Sequence, residues 1–157
     1  MSLWLCLRFN QLPLQCLTRT EEQPVVVLAR QRVKSSNDCA ASLVIRPGMS
    51  TTTVHALANN EPLQLLERDE NAEQRCLQQL CCWAYGITPS LFSWRQDCLQ
   101  LEIGGCLDLF QGLDRLLAEA ANGISSRGYC AQYGLAPTPK AAWLLSFAPE
   151  DQALDIN

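Results

Sequence analysis

Along the chain, apolar positions first fall in short runs broken by turn residues and only later recur at helical spacing. Leu3 to Phe9, read Leu-Trp-Leu-Cys-Leu-Arg-Phe, is nearly continuous apolar sequence, the pattern of a central strand covered on both faces. A short helix is expected around Pro13 to Leu17. Pro24 opens Val25-Val26-Val27-Leu28-Ala29, a β-branched run that predicts a second strand leading into Arg32 to Lys34. Ser36 or Asn37 can cap a helix over Asp38 to Val44, ended by the turn residues Arg46-Pro47-Gly48-Met49, and Ser50 caps another over Thr51 to Ala58. Leu63 to Leu66 reads as a short strand. Asp69 starts the clearest helix, with Ala72, Cys76, Leu80, Trp83 and Ala84 on one stripe, and Gly86 and Pro89 stop it. Leu99 to Ile103 predicts a further strand, Leu113 to Arg127 a helix, and Tyr129 to Leu135 another strand. Thr138 followed by Pro139 is a helix start, a side-chain cap with proline in the first turn, and the helix continues over Ala141 to Phe147. Strands alternate with helices without a strict repeat, so the expected fold class is α+β, a sheet with helices packed on it.

A chain of 157 residues is one domain or most of one, and 48% apolar against 18% charged residues excludes disorder by composition. The longest apolar stretch, Leu3 to Leu17, is cut by Arg8, Asn10, Gln11, Pro13 and Gln15, so no membrane span is expected. Arg8 inside that stretch and Leu17-Thr18-Arg19 after it do not make a secretory signal, and a cytoplasmic location is expected. Nine cysteines suggest a disulfide or zinc framework at first sight. None are spaced Cys-x-x-Cys, the number is odd, and there is one histidine, so zinc-finger patterns have nothing to use. Most of these thiols sit at apolar positions, where cysteine acts as a small buried hydrophobe. Cys81 and Cys82, adjacent in sequence, are the one redox candidate.

Charge is uneven. Residues 1–60 carry six Lys and Arg against three Asp and Glu, whereas 61–157 carry six against thirteen. In the basic part Arg30, Arg32 and Lys34 alternate, and on a strand that spacing puts all three on one face. Two readings stand: a phosphate-facing stripe that binds DNA weakly, or an exposed strand edge protected by charge.

Catalytic signals are scarce. Gly104-Gly105 belongs to no phosphate-binding loop pattern. His55 has no nucleophile beside it in sequence and reads as a surface residue. Glu102 and Asp108 flank a turn and could pair as acid and base, or serve as a solvated strand residue and a helix-start carboxylate.

The order of local signatures adds a resemblance. Arg46-Pro47-Gly48-Met49, then Leu101-Glu102-Ile103-Gly104-Gly105-Cys106-Leu107-Asp108-Leu109-Phe110, then Tyr133-Gly134-Leu135-Ala136-Pro137-Thr138-Pro139 resembles the Y-family DNA polymerases (UmuC domain, impB/mucB/samB family), and in particular the ImuB branch, whose members have lost polymerase residues. The resemblance implies a palm sheet with a small inserted fingers subdomain at roughly 24–68 in a domain over 1–148, truncated before thumb and little finger. Residues 149–157 would be a frayed acidic tail. It also implies a bacterial protein of damage-induced translesion synthesis, with DNA, a translesion polymerase and other mutagenesis-complex proteins as partners.

Polymerase chemistry needs carboxylates that hold two metal ions. Matched residue by residue, the family's metal positions fall on Leu5, Ile103 and Gly104, and its triphosphate contacts on Asp38, Ala41, Pro139 and Trp143. The resemblance therefore implies a pseudo-polymerase with no metal or other cofactor. A residual polymerase using Glu102 and Asp108, and a protein-only interaction domain favoured by a sequence pI of 4.9, are the alternatives.

Overall fold

The computed structural model describes residues 1–153, which form two compact units: Met1–Asn10 with the chain from Gln74 onward, and Gln11–Glu73. The first holds a four-stranded antiparallel sheet of β1 (Trp4–Arg8), β5 (Leu91–Trp94), β6 (Cys98–Glu102) and β7 (Gln132–Ala136), in the order β5-β6-β1-β7. β1 is an inner strand, which is why its sequence is apolar almost throughout: Leu5, Cys6 and Leu7 are all fully buried. In register, Leu5 lies between Leu101 and Leu135, and Leu7 between Leu99 and Tyr133. Trp4, Cys6 and Arg8 therefore occupy the opposite face, in line with Glu102, Gln100 and Cys98 of β6 and with Ala136, Gly134 and Gln132 of β7.

Helix α5 (Leu113–Ser126) follows its predicted pattern, burying Leu116, Ala120 and Ile124 at four-residue spacing. Gly123 lets the Trp83 ring of α4 (Glu70–Ala84) rest on α5, since a Cβ there would stand 2.5 Å from Trp83 Cε2. β5 has no counterpart among the expected elements. Its Leu-Phe-Ser-Trp sequence is short, and it is closed onto β6 by a turn in which Arg95 adopts φ +55.

In the second unit β2 (Val25–Ala29) pairs antiparallel with β3 (Arg32–Ser36) and parallel with β4 (Gln64–Glu67). The strand expected to run on through Lys34 is instead a hairpin. Arg30 and Gln31 take left-handed backbone angles, φ +52 and +63, and turn the chain back on itself. One sheet face packs Val26, Leu28 and Val33 against Ala40, Ile45 and Val54 from the region of α2 (Asp38–Ser42) and α3 (Thr51–Ala58). On the other face, Val25 and Val27 meet Leu14 of α1 (Leu12–Gln15). Asn37 caps α2, as the sequence allowed, and does more: its Oδ1 accepts from Ala40 N and Val25 N, both at 3.0 Å, while its Nδ2 donates to the Thr20 and Gln23 carbonyls. One buried side chain thus ties helix, strand and loop together.

Asp69 starts α4, its Oδ1 accepting from Ala72 N at 3.0 Å. Thr138 caps α6 (Pro139–Leu145). Within the segment expected to fray, Glu150–Ala153 is a short helix, α7, with Ala153 buried, and residues 154–157 lie outside the described residues. Among the described residues no helix is long and apolar enough to cross a membrane.

Candidate functional site

The sheet face bearing Trp4, Cys6 and Arg8 is the one that α6 covers. α6 reaches this face because β7 has Gly134 beneath it: a Cβ there would collide with the Ala142 carbonyl oxygen and stand 2.6 Å from Ser146 N. Helix backbone and sheet backbone therefore meet directly. Cys6, Cys98, Ala136 and Ala142 form the small buried cluster below the helix, with Trp4, Trp143 and Leu145 packed at its margin.

Polar groups in this layer are few and mostly satisfied. Gln100, fully buried, donates from Nε2 to the Pro139 carbonyl at 3.0 Å, while its Oε1 has no hydrogen-bond partner among the described residues. Arg8 donates from Nε to Ser146 Oγ at 3.1 Å and from an Nη to the Ser146 carbonyl at 3.0 Å, and its guanidinium lies 3.9 Å from the centre of the Phe147 ring. The Cys6 thiol is drawn below its ordinary pKa by its hydrogen bond with Cys98, helped by Ser146 and the charge of Arg8 and opposed by burial. The same contact and burial push Cys98 up, and Cys98 Sγ also lies 3.2 Å from Asp97 Oδ1.

At the open end of this face, aromatic rings and arginines interleave. Trp94 and Trp143 meet edge to face with centroids 5.5 Å apart, and Trp143 meets Phe147 at 5.2 Å. The Arg95 guanidinium lies 4.1 Å from the Trp143 ring centre and 5.1 Å from that of Trp94. Sequence reading did not single out Trp94, Arg95, Arg8 or Phe147. The signal present was the four-residue spacing of Trp143 and Phe147, but the pairing with β5 could not be read from a strand that short.

The residues marked from sequence lie elsewhere or are otherwise engaged. Leu5 and Ile103 are fully buried on the apolar face, and Ile103 N donates to the Leu3 carbonyl at 2.8 Å. Gly104 sits against backbone: a Cβ would stand 3.2 Å from Leu3 N. Glu102 Oε1 accepts from Leu3 N at 3.1 Å and Gly104 N at 2.9 Å, so this carboxylate ties down the turn after β6, while Asp108 is exposed. Asp38 is exposed and Ala41 half-buried on α2; Pro139 and Trp143 are half-buried on α6. His55 is exposed on α3. Cys81 is half-buried, which pushes its thiol up and away from the reactive thiolate form, and Cys82 is exposed.

The basic stripe is not continuous. Arg32 and Lys34 share the exposed face of β3, but Arg30 is in the hairpin turn, and Arg32 donates to the Gly48 carbonyl at 2.9 Å. Lys34 and Arg30 line a hollow shared with Arg68, Glu67, Asp69 and Glu70, where three carboxylates stand against three cations and Glu70 pairs with Arg68 at 3.2 Å. The outer edge of β3 is itself occupied, as Val33 N donates to the Met49 carbonyl and Gly48 N to the Val33 carbonyl.

The impB/mucB/samB family model matches residues 10–147. No curated protein matches the chain. Among solved structures, an insertion ternary complex of Dbh DNA polymerase is similar with a TM-score of 0.76 at 14% identity, over 99% of this chain and 48% of that one. The crystal structure of DinB from Sulfolobus solfataricus is similar with a TM-score of 0.67 at 13% identity, over 100% and 48%. The chain thus spans about half the length of these structures. At such identities the likeness is one of fold, a mixed α+β architecture shared with Y-family polymerases. The chain belongs to the impB/mucB/samB family and is built on the Y-family DNA polymerase fold.

Proposed function

We propose that the chain is a non-catalytic palm-and-fingers domain that serves translesion DNA synthesis as a scaffold or DNA-engaging accessory, while a separate polymerase performs the chemistry. The observation that carries this reading is the environment of the positions matching the metal carboxylates. Leu5 and Ile103 are fully buried in an apolar layer with Leu101 and Leu135, and Gly104 offers no side chain. Magnesium requires convergent oxygen ligands in near-octahedral geometry. The residues present do not fit a two-metal centre: Glu102 already holds two backbone N–H groups, and Asp108 is exposed on the turn.

The partners follow from the same reading: a translesion polymerase, other proteins of a mutagenesis complex, and DNA held weakly by a chain of net charge −4. A primer-extension assay with Mg²⁺, the four deoxynucleoside triphosphates and an intact Y-family polymerase as control tests it. No extension above background is expected from this chain. Extension that disappears in Glu102→Ala would overturn the proposal in favour of a residual polymerase.

A further inference from the structure

We propose that the interleaved arginine and aromatic side chains at the open end of the α6 face form a binding site for single-stranded nucleic acid, taking unpaired bases by stacking and phosphates by Arg95. This deepens the DNA-engaging part of the proposed function and rests on it. The site comprises Trp94 and Arg95 from the β5–β6 hairpin, Trp143 and Phe147 from α6 and its end, and Arg8 from β1.

Three observations converge. The first is exposed ring surface in a fixed place: Phe147 is 58% exposed although Arg8 lies over it, and Leu144 beside it is 56% exposed. Arg8 is itself anchored by two hydrogen bonds to Ser146, so the ring and guanidinium form a preorganised stack. Bases stack on aromatic faces and on arginine planes irrespective of sequence. The second is an arginine with donors to spare. Arg95 is exposed, rests on two tryptophan rings, and makes no hydrogen bond or ion pair with any described residue, so its donors are available to phosphate oxygens.

The third is charge. In a chain with more acidic than basic residues, α6 carries Lys140 and no carboxylate, and the facing elements add Arg8 and Arg95. Asp97, in the same turn as Arg95, is half-buried with its Oδ1 at Cys98 Sγ. Glu150 of α7 follows Phe147 by three residues, but the charged groups in direct contact with the rings are Arg8 and Arg95, and they suit a polyanion better than a basic or neutral peptide. Trp143 also stands where the family resemblance implies a triphosphate-contacting lysine, so a ring replaces an ammonium group. That exchange removes a phosphate contact and supplies the ring on which Arg95 rests.

The experiment is fluorescence anisotropy of a labelled oligothymidylate at low salt, with an oligomer of equal length whose central bases are abasic as comparison. Phe147→Ala and Arg95→Ala, both at exposed positions, are each expected to weaken oligothymidylate binding about tenfold, and Arg95→Lys to recover only part of the loss. The abasic oligomer should bind the wild-type chain more weakly than oligothymidylate. No binding by the wild-type chain, equal binding of the two oligomers, or unchanged affinity in both alanine variants would overturn the proposal. Those results leave primer extension and metal binding untouched, so the site and the non-catalytic reading fail separately.

Discussion

Replacing Leu5 by aspartate is expected to destabilise the first unit by about 3–5 kcal/mol and to leave metal binding absent. Leu5 is fully buried between Leu101 and Leu135, with apolar side chains on both neighbouring strands of its face. A carboxylate there either stays charged in an apolar layer or takes up a proton at the cost of its ordinary ionisation. For a chain of this length the melting temperature should fall by roughly 10 °C, measured by thermal denaturation at neutral pH. Stability near that of the wild type would mean that the β1 side chain faces a wet groove, and the account of a closed apolar layer would fall. The substitution also separates two ideas of inactivity. If only the carboxylate were missing from an otherwise polar cleft, restoring it would recruit Mg²⁺; in the layer described here it cannot.

The second large effect is expected at Asn37. Its side chain makes four hydrogen bonds to backbone groups at Val25, Ala40, Thr20 and Gln23, with distances from 2.7 to 3.1 Å, and the residue is buried. Asn37→Ala leaves the buried N–H groups of Val25 and Ala40 without their partner, at about 1–3 kcal/mol each, while the carbonyls of the exposed Thr20 and Gln23 can turn to water. A loss of roughly 4 kcal/mol is expected, well above the ~1 kcal/mol typical of a helix cap alone. Asn37→Asp keeps the two acceptor bonds but sets a carboxylate oxygen against the Thr20 and Gln23 carbonyls, so it should recover stability only as the pH falls and the carboxyl takes up a proton that it can donate. Urea unfolding of the three proteins gives the order, and an alanine variant that loses only about 1 kcal/mol would reduce Asn37 to a simple cap.

Much of the fold was legible because local and global signals agreed. The apolar run of β1 marked an inner strand, the four-residue spacing of Leu116, Ala120 and Ile124 marked α5, and Thr138-Pro139 marked the start of α6. The failures came where pairing, rather than composition, decides. Arg30 and Gln31 carry no glycine or asparagine to announce a turn, yet both adopt left-handed angles, so the hairpin was read as one strand. Arg30 therefore sits in the turn and not on the strand with Arg32 and Lys34, although it lines one hollow with Lys34. β5 escaped notice because four residues with two polar-side neighbours show no period, and with it went the contact between Trp94 and Trp143. Gly134 could be read as a strand glycine, but its purpose, admitting the α6 backbone, depends on a helix close in sequence and folded back in space.

The central claim is that the positions matching the polymerase metal site hold no metal, and Mn²⁺ titration followed by electron paramagnetic resonance tests it most directly. Free Mn²⁺ gives a signal that diminishes as the ion is bound, so affinity is read without dependence on turnover or on DNA. The account predicts that the signal from this chain tracks total Mn²⁺ up to about millimolar concentration, as expected without convergent oxygen ligands. A micromolar site that is lost in Glu102→Ala would contradict it.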